Sequence, residues 1–167
     1  MTLSMYDASV PVFQRTLRNL DRVLTKGEAY ARERGAEPDT LLQSRLIFDM
    51  LPLVRQVQIA TDMATRGAAR LAGVEPRSVE DNETTFEQLH ARIANALAQL
   101  DAFTPQQFEG SETRTVKFKS RRGELTFNGL DYLQQFVLPN LFFHTTTAYN
   151  LLRQAGAAIG KSDYLGE

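Results

Sequence analysis

The sequence predicts an all-α protein: a four-helix bundle with a small β-hairpin inserted before the last helix. Two observations carry this. Apolar residues recur at steps of three and four through four long segments, which stacks them along one side of a helix in each. Only over residues 112–128 does the period shorten to two, the alternation of a strand with one wet face.

The first helix is expected from Ser4 or Asp7, either able to accept a backbone N–H as an N-cap, to Gly35. Pro11 falls in its first turns, and Phe13, Leu17, Leu20, Val23 and Leu24 form its inner face. Gly27 weakens its middle. The second helix is expected from Pro38-Asp39 to Leu71, kinked at Pro52, with Leu42, Leu46, Ile47, Met50, Leu51, Val54 and Val57 inward and Gly73 as terminator. An acidic loop with Glu75, Glu80, Asp81 and Glu83 follows. Thr84 and Glu87 have capping-box spacing ahead of a third helix whose inner face is Phe86, Leu89, Ile93, Leu97 and Leu100. Thr104 to Phe108 reads as one capped turn. In the hairpin, Thr115, Lys117, Lys119 and Arg121 face water, Arg121-Arg122-Gly123-Glu124 turns the chain, and Val116, Phe118, Leu125 and Phe127 lie on the helices. The fourth helix spans Leu130 to Gln154, interrupted at Pro139, and a short tail from Lys161 to Glu167 closes the chain.

At 167 residues the chain suits one domain, 1–167, of roughly the ~100–200 residues typical of one. A net charge of −1 gives no global pull toward nucleic acid or anionic membrane, and no apolar run reaches the ~18 residues of a membrane span. The absence of cysteine excludes disulfides, thiolate metal sites and thiol catalysis. A soluble cytoplasmic protein is expected, with no nucleic-acid or membrane partner. The basic residues of the hairpin read as a charged face that discourages edge-to-edge pairing.

Several strings go beyond bundle patterning: Asp49-Met50-Leu51-Pro52-Leu53-Val54-Arg55-Gln56-Val57-Gln58, Ala69-Arg70-Leu71-Ala72-Gly73, Asp131-Tyr132-Leu133, Leu138-Pro139-Asn140 with His144, and the tail Gly160-Lys161-Ser162-Asp163-Tyr164-Leu165-Gly166. Together they resemble an uncharacterised bacterial family of the DinB-like four-helix bundles, over nearly the whole chain. The resemblance implies an up-down-down-up bundle with a long crossover between helices two and three, and a homodimer. It also implies a scaffold that elsewhere serves metal-dependent transferases and isomerases of small thiols, whose metal is held by one histidine of helix two and a His-x-x-x-His pair of helix four. Here the first of that pair falls on His144 and the second on Ala148, and helix two has no histidine.

Asn140 and His144 share the inner stripe of the last helix, with Gln56, Gln58, Asp49 and Asp62 of the second segment as possible partners. Buried polar groups there require hydrogen bonds, so a register-fixing network is one reading. A small-molecule pocket lined by Gln56, Gln58, Asn140 and His144 is another. A metal site would need Asp49 or Asp62 in place of the missing imidazoles. His90 reads as a surface residue. The expected function is a metal-free, cofactor-free module that binds a small ligand or a partner. The alternative is a transferase or isomerase on the same scaffold, acting on a small thiol or hydrophobic substrate.

Overall fold

A computed structural model describes residues 3–120 and 123–167. Helix α1 (Val10–Glu33) carries Pro11 in its first turn. Ser4 and Asp7 cap a separate turn before it, the Ser4 hydroxyl donating to Asp7 Oδ2 at 2.6 Å, so the helix proper starts later than the cap residues suggest. Gly27 is no weak point. A Cβ there would stand 2.6 Å from Leu152 Cδ2, so the glycine is what lets α1 meet the last helix closely.

The expected 38–71 helix is not continuous. A 3-10 turn (Pro38–Gln43) is followed by irregular chain, and α2 (Leu53–Ala72) begins only after Pro52. Proline drives its predecessor, Leu51, out of the helical region, while its own missing N–H suits a helix start. Pro52 therefore opens α2 rather than kinking it, at φ −70° and ψ 169°. Leu53 N–H closes the irregular segment on Ser44 O at 3.0 Å. The correction matters at the surface: Ile47 and Leu51, read as core, are 52% and 38% exposed, beside Phe48 at 86%. At the far end Gly73 is left-handed at φ 73°, as its position predicts.

Helix α3 (Phe86–Asp101) has its capping box one residue later than expected, at Thr85 and Gln88. Gln88 Oε1 accepts from both Thr84 N (2.6 Å) and Thr85 N (3.2 Å), a reach Glu87 does not make. A 3-10 turn (Pro105–Phe108) leads to β1 (Thr115–Ser120) and β2 (Gly123–Asn128), antiparallel with Phe118 opposite Leu125. Arg121 and Arg122, expected in the turn, lie outside the described residues. Phe118 and Phe127 rest on Tyr132 and Phe136 with ring centroids 5.0–6.1 Å apart, and the Arg70 guanidinium covers Phe118 at 4.6 Å. The hairpin is thus held by an aromatic cluster.

The last long helix, α4, comprises Gly129–Asp131, a wide π-turn (Tyr132–Val137) and Leu138–Gln154. The expected interruption at Pro139 is this π-turn: proline offers no amide to the preceding turn and its ring crowds that turn's carbonyl, so the helix widens. A short α5 (Lys161–Leu165) folds the tail onto α1.

Side-chain contacts give the topology. Asp21 meets His90 and Gln14 meets Asp101, so α1 and α3 are antiparallel. Gln56 meets His144 and Arg70 meets Tyr132, so α2 and α4 are antiparallel. Gln58 and Asp62 meet Arg92, and Thr65 and Ala69 share a cleft with Asn95, Gln99 and Ala102, so α2 and α3 run parallel. The order is up-down-down-up, and residues 73–85 form the long crossover that returns the chain to the start of α3. Phe13, Leu17, Val57, Leu71, Ile93, Leu100, Leu133 and Leu141 are among the side chains fully enclosed between the helices. Among the described residues no helix is long and apolar enough to cross a membrane.

Candidate functional site

Where the start of α2 faces the middle of α4, His144 Nδ1 lies 2.7 Å from Gln56 Oε1. Gln56 is buried and its Nε2 donates to Leu51 O at 2.8 Å, which identifies the other amide atom as oxygen. Oxygen can only accept, so His144 carries its proton on Nδ1. Burial pushes the imidazole pKa down to about 4, and the ring is neutral at ordinary pH. No hydrogen bond among the described residues reaches Nε2, whose lone pair is left to accept one. Phe143 stands edge-on to the imidazole at 5.2 Å and is 56% exposed. Leu51, whose carbonyl anchors Gln56, follows the exposed Ile47 and Phe48 on the segment that opens α2. A neutral acceptor is therefore set against the exposed Phe143 ring, with Gln56 tying it to the carbonyl of exposed Leu51.

The other residues singled out in the sequence go elsewhere. Asn140 is half-buried and donates to Phe136 O at 2.6 Å, serving a carbonyl of the π-turn. Gln58 is buried, donates to Glu83 Oε2 at 2.7 Å and accepts from Arg55 at 2.7 Å. Asp62 is paired with Arg66 and Arg92, each at 2.9 Å. Asp49 is exposed on the segment before α2. Gln56 and His144 are thus brought together, while Gln58 and Asp62 belong to a different cluster.

That cluster centres on Arg92, which the sequence reading passed over. Its side chain is 3% exposed, and its guanidinium meets Asp62 (2.9 Å), Asp81 (3.0 Å), Glu83 (2.9 Å), the Thr61 hydroxyl (2.8 Å) and Glu80 O (3.0 Å). Burial raises the Asp62 pKa against the pull of Arg66 and Arg92. At Glu83 burial works in the same direction, but hydrogen bonds from Gln58 and Arg92 outweigh it and the pKa falls. The signal was available: an arginine between Leu89, Ile93 and Ala96 on an apolar stripe, and an unexplained acidic loop just before it.

His90 is also corrected. It is half-buried between α1 and α3, with Nδ1 2.6 Å from Asp21 Oδ1 and Nε2 3.7 Å from Glu28 Oε2. The hydrogen bond to Asp21 raises its pKa, burial opposes this, and Glu28 adds to the rise.

The metal site of the fold's better-known members can be tested against this donor set. His144 spends Nδ1 on Gln56, Ala148 is fully buried one turn on, and α2 presents an amide where an imidazole would be needed. Among the described residues no group of three His, Cys, Asp or Glu could hold a metal ion. The residues do not fit a bound metal here.

Comparison with known proteins agrees with this architecture. The family described as "Domain of unknown function (DUF1993)" matches residues 5–165. The crystal structure of a DinB family member protein from Shewanella denitrificans superposes with a TM-score of 0.90 at 39% sequence identity, over 98% of this chain and 92% of that one. Among curated proteins, none matches.

Proposed function

Taking as premise that this chain belongs to the DUF1993 family, with the fold of a DinB family member, we propose that it is a metal-free binding and interaction module working through the surface around His144. The observation behind this reading is the neutral imidazole with a spare acceptor nitrogen against exposed Phe143, held by Gln56, which is itself anchored on the carbonyl of exposed Leu51. Such a site suits a small ligand with an apolar body and one hydrogen-bond donor, the apolar part giving affinity and the donor orientation. It suits proton transfer poorly. A base with a pKa of about 4 is weak at neutral pH, where a catalytic base works best with a pKa near the operating pH. Holding a ligand is therefore favoured over transferase or isomerase chemistry. The exposed Ile47, Phe48 and Phe143 support a further part of this reading, that two copies of the chain pair as a homodimer.

Nitrogen-15 spectra of the His144 imidazole test this, with phenol as a probe that has an apolar ring and one donor. The expected result is a single neutral Nδ1–H tautomer whose Nε2 resonance shifts saturably with phenol and ignores one equivalent of zinc. An Nε2 signal indifferent to millimolar phenol, a probe range equal to only about −4 kcal/mol of binding, would sink the ligand reading. Stoichiometric zinc bound at His144 would sink the metal-free one.

A further inference from the structure

On the opposite side of α4, a groove of about 230 Å³ runs between α1, α4 and the tail helix α5. Its walls are apolar: Val12, Leu20 and Val23 of α1, Phe142 of α4 and Leu165 of α5. Phe142 remains 41% exposed there, although its neighbour Leu141 is completely enclosed. The tail forms one wall because polar contacts pin it. Asn19 Nδ2 donates to Tyr164 O at 3.1 Å, and the Tyr164 hydroxyl lies 3.2 Å from Thr145 Oγ1 and 3.1 Å from Thr146 Oγ1. Lys26 and Asp163 close the same contact as an ion pair.

Arg15 is the only charged side chain in the lining. One of its nitrogens donates to Leu165 O at 3.0 Å, and among the described residues it has no carboxylate partner. That bond holds the guanidinium at the rim, with its other N–H groups unspent. An apolar trough ending in an oriented, uncompensated guanidinium is complementary to a molecule with an apolar body and an anionic head. The planar fork of arginine matches a carboxylate best. The volume sets the size. It falls below the ~300–1,000 Å³ of sites for drug-sized ligands, which leaves room for one ring or a short chain.

We propose that this groove is a binding site for a small aryl or short-chain alkyl carboxylate, its apolar part between Val12, Leu20, Val23 and Phe142 and its carboxylate on Arg15. The site is separate from the surface at His144, and either can fail without the other.

Phenylacetate and its neutral counterpart phenethyl alcohol distinguish the elements of the proposal, followed by methyl NMR of Val12, Leu20, Val23 and Leu165. Phenylacetate is expected to shift these methyls saturably, with the alcohol at least tenfold weaker, a difference of about 1.4 kcal/mol. Arg15→Gln, at an exposed position, should bring the acid down to the level of the alcohol. Val12→Phe, at a half-buried position, should fill the trough and abolish both shifts while thermal melts report an intact fold. Equal binding of acid and alcohol by the parent protein would overturn the proposal, as would shifts confined to other methyls or none in the millimolar range. Methyl shifts that depend on protein concentration without any probe would also overturn it, because a second copy would then occupy the groove.

Discussion

Two histidines in this chain are displaced in opposite directions, and the physics of each is local. Burial without a compensating charge lowers the His144 pKa from 6.5 to about 4. The unfolded chain then takes up a proton before the folded one does. The stability held by neutral His144 is fully present above about pH 6.5 and drains away as pH falls toward 4. His90 runs the other way. Asp21 and Glu28 lift its pKa, so the folded protein holds the proton more tightly than the unfolded chain. Its contribution is complete below pH 6.5 and is lost as pH rises through the raised value. Urea midpoints measured against pH should therefore separate the two. His144→Gln should remove part of the acid-side loss between pH 6.5 and 4. His90→Gln should flatten the alkaline side, costing about 1 kcal/mol or less because the pair is partly solvated. Parallel profiles for the parent and both variants would refute the assignment. His144 could be singled out in sequence because its stripe was apolar. The partners of His90 could not, since Asp21 and Glu28 belong to another helix and only packing brings them near.

At the scale of elements, two prolines in similar apolar stripes had different outcomes. Pro139 is bypassed by a π-turn because α4 is gripped on both sides of it, Leu133 and Val137 before and Leu141 after all being buried. Pro52 instead opens α2, and no helix is carried back across it because the preceding residues find no such grip, Ile47 and Phe48 staying exposed. Of the periodic apolar residues over 42–51, Leu42 reaches the core and Leu46 packs against it, but Ile47 and Leu51 do not, which is why the sequence suggests a longer helix than the chain forms. The crossover poses the reverse problem, acidic chain with no regular structure that nevertheless has a fixed path. Arg92 fixes it, since one buried guanidinium ties Asp81 and Glu83 of the crossover to Asp62 of α2. Removing the cation leaves Glu83 with only the Gln58 amide, while Asp62 and Asp81 keep Arg66 and Arg55 but lose the charge that joins them. Arg92→Met should thus cost about 3–5 kcal/mol, the range for breaking a buried ionic cluster by deleting one partner. Arg92→Lys should rescue it only partly, because a single ammonium cannot replace the guanidinium fork. Urea melts measure the loss, and limited proteolysis should show new cleavage within residues 73–85. A variant as stable and as resistant as the parent would mean that the crossover is held by something else.

At the scale of the whole molecule, the order of helices followed from amphipathic pattern, while their spatial arrangement needed the family resemblance and is now supported by contacts such as Gln56 with His144 and Gln14 with Asp101. The surface was the least legible part, because exposure of Ile47, Phe48 and Leu51 depends on where α2 begins. Ile47, Phe48 and Leu51 on the segment that opens α2, and Phe143 on α4, are bare apolar side chains of the kind a partner covers. Covering them with a second copy hides the same side chains on both subunits through one two-fold contact. Sedimentation should accordingly give a dimer, and its melting temperature should rise with protein concentration, as mass action requires when only the folded state associates. Phe48→Ser combined with Phe143→Ser should yield a monomer whose melting temperature no longer depends on concentration. Both side chains are largely outside the core, so the fold should survive. A parent protein that sediments as a monomer, or a dimer indifferent to both changes, would move the interface to another face and leave the His144 surface to its ligand alone.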